Sequence, residues 1–383
     1  MFTLKTNLFS GVGSTYQALN VIQDNNWCHA VVLIDATVEN TSSYWVEIEA
    51  EFNKVCTLTI FPLLTASEPT YKYLDEVAGL IRAQDAVDVI IGIGGGSALD
   101  IAKGAAALRT NEGPALNYRG FDNVLNPSTP TICIPTTAGT GSEVTINAVF
   151  TDDDEMRKLG INGKNMGATY AVLDANWTAF CPRSVALSSG LDALVHSLES
   201  FITHKSTQVT RTLSANAFQL IYHNLPSALD DPEDSNARQS MLLGSYFAAA
   251  ALFNSGSGIS GALSYPIGVH FHVPHGIAGG ITLPSVIRFN VEHGWHGFRP
   301  LLATIADTAG LSDEEVSVQF IEAIEDLYTR LGTPGDFREW GIGANDLSVL
   351  TELVATLQGA FDQNPVHFSA LNDAPVLLSP HLK

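Results

Sequence analysis

Along the first half of the chain, short apolar runs alternate with stretches whose apolar residues recur at helical spacing. The runs at 30–34 (AVVLI), 57–61 (TLTIF), 87–93 (VDVIIGI) and 131–134 (TICI) have the length and β-branched content of buried strands. Between them, 68–84 and 98–108 read as helices. Strands alternating with helices predict a mostly parallel sheet covered on both faces. The stretch 144–174 differs, because Thr, Asn, Val and Phe alternate with polar residues; it predicts an antiparallel excursion at the edge of that domain.

Beyond residue 182 the period changes. Segments 188–203, 208–229, 236–253 and 314–331 carry apolar residues at helical spacing, and strand-like runs nearly vanish. The change falls at FCPRS, 180–184, where Pro182 suits the start of a helix. The expectation is therefore two domains: 1–182, α/β with a mostly parallel sheet, and 183–383, all-helical; the candidate dinucleotide-binding chemistry falls in the first and the candidate metal and substrate chemistry in the second.

Composition narrows the function. With 45% hydrophobic and 15% charged residues over 383, a large core is expected and wholesale disorder is excluded. Forty Asp and Glu against 19 Lys and Arg leave a net charge of −21, which repels phosphate backbones and excludes nucleic acid as a general partner. No run reaches the length of a membrane span and the N-terminus does not read as a signal peptide, so a cytoplasmic protein without membrane association is expected. The four cysteines are scattered, and three sit in apolar runs expected to bury reduced thiols.

Two loops carry candidate chemistry in the first half. GIGGGS, 92–97, follows a strand and opens a helix, where bare backbone N–H groups meet the positive helix end. Gly94, Gly95 and Gly96 let a pyrophosphate approach the backbone, Ser97 offers a hydroxyl, and Asp100 faces the same end. The plainer alternative is a tight strand-to-helix turn. The second loop, PTTAGTGSE at 135–143, follows the strand TICI, and ligands of open α/β sheets bind at such carboxyl ends. Asp35, ending the first long strand, is placed either to accept from a ribose hydroxyl or simply to cap a helix.

In the second half, Asp192 and His196 stand four apart within GLDALVHSLE, on one helical face, amid leucines. A carboxylate with a neutral imidazole suits Fe²⁺ or Zn²⁺; a surface Asp–His pair is the alternative. Further on, YPIGVHFHVPHG brings His270, His272 and His275 within six residues.

Four blocks in order, GGGSALDIAK (94–103), PTTAGTGSEVT (135–145), GLDALVHSLES (190–200) and PHGIAGGITLP (274–284), make the chain resemble the iron-containing (group III) alcohol dehydrogenase family from about residue 87 to 284. LGTP (331–334) and REWGI (338–342) look like its tail. The resemblance implies the dehydroquinate synthase-like architecture, an NAD- or NADP-dependent oxidoreductase acting on CH–OH, and at least a homodimer. It implies Gly94, Gly95, Gly96 and Ser97 at the pyrophosphate, Thr136, Thr137 and Thr140 along the cofactor, Lys158 near the nicotinamide ribose, and Asp35 favouring NAD. It also implies Asp192, His196 and His275 as ligands of Fe²⁺ or Zn²⁺. The family's further ligand falls on Gly261, and a further active-site histidine falls on Tyr265. Tyr265, His270 and His272 are the candidates for proton relay. The implied substrate is a small primary alcohol or aldehyde, with branches acting on phosphonoacetaldehyde-like or sugar-acid-like anions that Arg157, Lys164 or Lys205 would meet. Two competing readings are a metal-dependent lyase or cyclase of the same fold and a metal-free nucleotide-binding relative.

Overall fold

The computed structural model describes residues 2–64, 68–155 and 157–383. Its contacts divide the chain into two compact units, one formed by Thr3–Pro182 with Pro232–Leu243, the other mainly by Arg183–Asp231 and Gly244–Lys383.

The first unit is built on β1 (Asn7–Ser10), α1 (Thr15–Asp24), β2 (His29–Asp35), α2 (Ala36–Thr41), α3 (Ser43–Val55), β3 (Thr57–Leu63), α4 (Tyr71–Arg82), β4 (Val89–Gly94) and α5 (Gly96–Thr110). It continues with β5 (Gly120–Phe121), β6 (Thr131–Pro135), β7 (Asn147–Asp152), β8 (Arg157–Asn162) and β9 (Tyr170–Leu173). Six strands form one sheet in the order β1-β9-β6-β4-β2-β3, every neighbour parallel. The central strands are continuous apolar runs because both faces are covered; all six residues of β4 are buried. One face packs Val31, Ile90 and Leu33 against Leu74 of α4 and Ile101 of α5, the other packs Val32, Ile91 and Ile132 against Ile22 and Phe52.

The sheet order matters for function. From β2 the chain moves outward to β3, then crosses to β4 on the opposite side and continues to β6. The strand order therefore reverses between β2 and β4, and the crevice beyond their carboxyl ends is where such sheets take ligands.

The stretch 144–174 departs from its sequence pattern in one respect. β7 and β8 are antiparallel, as expected, in a small second sheet with β5. β9 instead returns to the main sheet and runs parallel between β1 and β6. Its four residues are too few for alternation to report the pairing partner. Among the cysteines, all free, Cys133 is buried while Cys28 is exposed and Cys56 and Cys181 are half-buried, so the burial expected for three thiols holds fully for one.

The second unit is helical among its described residues. It contains α6 (Arg183–Ile202), α7 (Gln208–Asp230), most of α8 (Ser235–Ser255), α9 (Ile259–Phe271), α10 (His275–Glu292), α11 (Arg299–Leu302) and α12 (Asp313–Leu331), then short helical turns to the C-terminus. Pro182 sits immediately before α6, whose buried face carries Leu191, Asp192, Leu194, Val195, Leu198 and Glu199. Helix α10 closes on α6 so tightly that a methyl at Gly276 would lie 1.9 Å from the carbonyl oxygen of Ser188. Among the described residues, no helix is long and apolar enough to cross a membrane.

Candidate active site

The glycine turn after β4 is assembled by three segments of the first unit. Gly94 has φ +154°, and a Cβ there would meet Ala98 Cβ at 2.6 Å and Asp35 Cβ at 3.1 Å. A side chain is thus excluded twice, by backbone conformation and by space. Gly95 is the N-cap of α5 with no side-chain cap, so the first N–H groups of the helix receive no side chain there. On the other side stands the second loop: a Cβ at Gly95 would meet Thr137 Oγ1 at 3.4 Å, and one at Gly96 would meet Thr140 Oγ1 at 2.6 Å. Thr136 N donates to Gly94 O at 3.0 Å. The two loops and Asp35 therefore converge on one turn at the reversal of strand order. Asp35 also caps α2, accepting from Thr37 N at 2.8 Å and Val38 N at 3.2 Å.

Two cofactor candidates have other partners. The Asp100 carboxylate accepts from the Ser142 hydroxyl and from Val149 N, and pairs with Lys103 at 3.2 Å. It clamps the second loop to α5 from within. Lys158 pairs with Glu68 at 2.8 Å and is largely covered. Lys103, which the sequence reading passed over, is the buried centre of the clamp: its Nζ donates to Ser142 O at 2.7 Å, to Thr145 Oγ1 and to Asn147 O. A lone lysine inside the run IAKGAAAL was its one signal. Beside it lies Glu143, buried, its carboxyl pushed up to about 7 chiefly by desolvation, with Lys103 opposing.

In the second unit, helical spacing brings Asp192 and His196 together as expected, with His196 Nε2 3.3 Å from Asp192 Oδ1. His275, first residue of α10, places its Nε2 3.9 Å from the same oxygen. Two donors bound about 2.1 Å from one tetrahedral ion would stand roughly 3.4 Å apart, and the two distances bracket that value. Among the described residues, no group of three or more His, Cys, Asp or Glu side chains is drawn in as a finished metal cage. The Asp192 group is looser, and the His275 side chain, 22% exposed, has room to close the longer edge. Among the described residues, His196 Nδ1 is buried without a hydrogen-bond partner, so they do not by themselves satisfy this imidazole. One carboxylate and two imidazoles are the donor set of Fe²⁺ or Zn²⁺, and the residues fit such an ion.

Tyr265 joins this group, its ring edge-on to His275 with centroids 5.0 Å apart. His270, in the last turn of α9, and His272, its left-handed C-cap with φ +57°, are exposed and stand outside the group. Gly261 lies where α9 meets α6: a Cβ there would stand 2.7 Å from Ser257 Oγ and 2.8 Å from Glu199 Oε2. A histidine at 261 would have to displace that carboxylate. Glu199 is buried, and burial pushes its carboxyl up against the backbone N–H groups of Gly261 and Gly258, the Ser257 hydroxyl and nearby His196, which pull it down.

The chain is similar to known proteins over most of its length. Residues 5–175 match the family described as iron-containing alcohol dehydrogenase, and residues 186–371 match its C-terminal part. An NAD-dependent methanol dehydrogenase of Bacillus methanolicus is 31% identical over 270 residues, 70% of this chain and 71% of its own. A sulfoacetaldehyde reductase of Bilophila wadsworthia is 41% identical over 188 residues, 49% of each chain. Among solved structures, an alcohol dehydrogenase from Oenococcus oeni superposes with a TM-score of 0.92 at 25% identity, covering 99% of this chain and 98% of its own.

Proposed function

The chain belongs to the iron-containing alcohol dehydrogenase family, oxidoreductases acting on CH–OH groups, and within it we propose an NAD-linked reductase of a small aldehyde carrying an anionic group. The observation that carries the enzymatic reading is the convergence of Asp192, His196 and His275 on one carboxylate oxygen. The anionic substrate rests on the sulfoacetaldehyde reductase match, which spans about half of each chain. NAD rests on the Bacillus methanolicus relative and on Asp35, whose carboxylate at the end of β2 disfavours a further phosphate on the ribose.

Asp192, His196 and His275 would hold a divalent ion, Fe²⁺ by family. Bound there, the ion supplies Lewis-acid polarisation of the substrate oxygen. The protein's own part is positional. The N–H groups opening α5 and the hydroxyls of Thr137 and Thr140 would receive the pyrophosphate and keep the nucleotide in one register. Asp192 lies in a nearly dry setting beside two imidazoles, where the attraction between a carboxylate and a cation is little screened. Tyr265 covers one edge of His275 and limits water at the site. Its hydroxyl begins the proton's route outward, and His270 and His272 continue it at the exposed end of α9. Among the cations named for the substrate's charge, Lys205 lies on the same unit as the Asp192 group, beside Gly256. The working molecule is a homodimer in this reading.

NADH oxidation, with Fe²⁺ or Zn²⁺ supplied, is measured against a neutral aldehyde and a sulfonated aldehyde of equal carbon number. The expected kcat/KM favours the sulfonated aldehyde by about tenfold, some 1.4 kcal/mol. Equal values would remove the anionic preference; no turnover with either would sink the reductase reading.

A further inference from the structure

Glu199 has no part in the chemistry above, yet it is fully buried on the ligand face of α6. It stands seven residues past Asp192 and three past His196, and both spacings return to one face of a helix. Its oxygens are held by the start of α9: Oε2 accepts from Gly258 N at 2.7 Å and from the Ser257 hydroxyl at 3.0 Å, and Oε1 accepts from Gly261 N at 3.0 Å. Gly258, the N-cap of α9, has no side chain to offer, so Glu199 supplies from another helix the acceptor that a local Ser or Asp ordinarily provides. The approach requires both glycines, since a Cβ at 258 would lie 2.9 Å from the Glu199 carboxyl and one at 261 would lie 2.8 Å from Oε2.

Burying a carboxylate is a costly way to cap a helix. A serine at 258 would do so without the desolvation. What Glu199 adds is a tie between α6, which carries Asp192 and His196, and α9, which carries Tyr265 one turn beyond Gly261. Tyr265 in turn packs on His275. From the far side, the contact of Gly276 with Ser188 presses α10 onto α6. His275 is thus set between two supports, and Glu199 fixes one of them.

We propose that Glu199 is a positioning residue of the metal site: by clamping α9 to α6 it sets, through Tyr265, where His275 stands relative to Asp192 and His196, and so how tightly the three hold a divalent ion. This rests on the metal assignment made above. The side chain itself need not touch the ion.

The test is a Zn²⁺ titration of the metal-stripped full chain against a chromophoric chelator, with thermal unfolding followed by circular dichroism in parallel. Glu199→Gln keeps the shape but turns one acceptor into a donor facing a backbone N–H. The expected result is a fold retained and a Kd for Zn²⁺ raised about 10- to 100-fold, the usual effect of removing a partner behind metal ligands. Ser257→Ala, which removes one of three donors and leaves the carboxylate, is expected to weaken Zn²⁺ binding in the same direction by less. Zn²⁺ affinity unchanged within about twofold in both variants, with only the melting temperature lowered, would make Glu199 a mere cap and overturn the proposal. Asp192→Ala separates the two levels of inference: if it binds Zn²⁺ as tightly as the parent, the metal assignment fails and the proposal falls with it.

Discussion

At the scale of single residues, the buried ionisable groups are the most informative features of this chain. Lys103, Glu143, Asp192 and Glu199 are each shielded from solvent, and a buried ionisable group persists only where something repays its desolvation. For Lys103 the repayment is Ser142 O of the second loop, Thr145 Oγ1 just beyond it, Asn147 O at the start of β7, and the Asp100 carboxylate. Glu143 is repaid less well, and burial raises its carboxyl from 4.5 to about 7. A raised carboxyl means that the folded chain holds the proton more tightly than the unfolded one. The associated stability is complete below pH 4.5 and is lost as pH climbs through about 7. Glu143→Gln should therefore gain on the parent across that window, by up to about 3 kcal/mol above it. Chemical denaturation of both chains from pH 4.5 to 8 checks this; a parent-to-variant difference that does not move with pH would remove the buried-carboxyl account.

At the scale of elements, the glycine turn after β4 is a meeting of three segments, and its tightest approach is testable. A methyl at Gly96 would arrive 2.6 Å from Thr140 Oγ1 and 2.7 Å from its Cγ2. The second loop would have to retreat from the start of α5, where the pyrophosphate is expected. Gly96→Ala should weaken NADH binding by about tenfold or more, read by fluorescence titration. Gly79→Ala, an exposed site in α4 with nothing within 4 Å, should leave it unchanged. Equal NADH affinity in Gly96→Ala and the parent would refute the placement. The same elements show what a sequence discloses. β2, β4 and β6 were readable because strands buried on both faces are unbroken apolar runs. Asp192 and His196 were readable because four residues make one helical turn. β1 was not, as an edge strand of four half-exposed residues carries little pattern. Nor were α9 and α10 marked as helices: both are apolar nearly all round, so no polar face supplies a period. Glu199 lay hidden for a further reason, since its partners, Ser257, Gly258 and Gly261, are 58 to 62 residues away in the chain. Local spacing carries no information at that range.

At the scale of the whole molecule, the proposed metal site would also be a cross-link. Asp192 and His196 belong to α6 and His275 opens α10, so an ion held by all three ties together two helices of the helical unit. Such a tie exists only in the folded chain, and an ion present at 100 times its Kd would add about 2.7 kcal/mol to stability. For a unit of this size each kcal/mol moves the melting temperature by roughly 2–4 °C. Stripping the metal should lower the transition by about 5–10 °C, and adding Fe²⁺ or Zn²⁺ should restore it. Mg²⁺, which prefers oxygen ligands, should restore far less at the same concentration. Asp192→Ala should show no increment with any of the three ions. Scanning calorimetry or dye-based melting distinguishes these outcomes. A transition indifferent to chelator and to added Fe²⁺ or Zn²⁺ would mean that the three side chains meet for another reason, and that the fold has kept the family's helices without its ion.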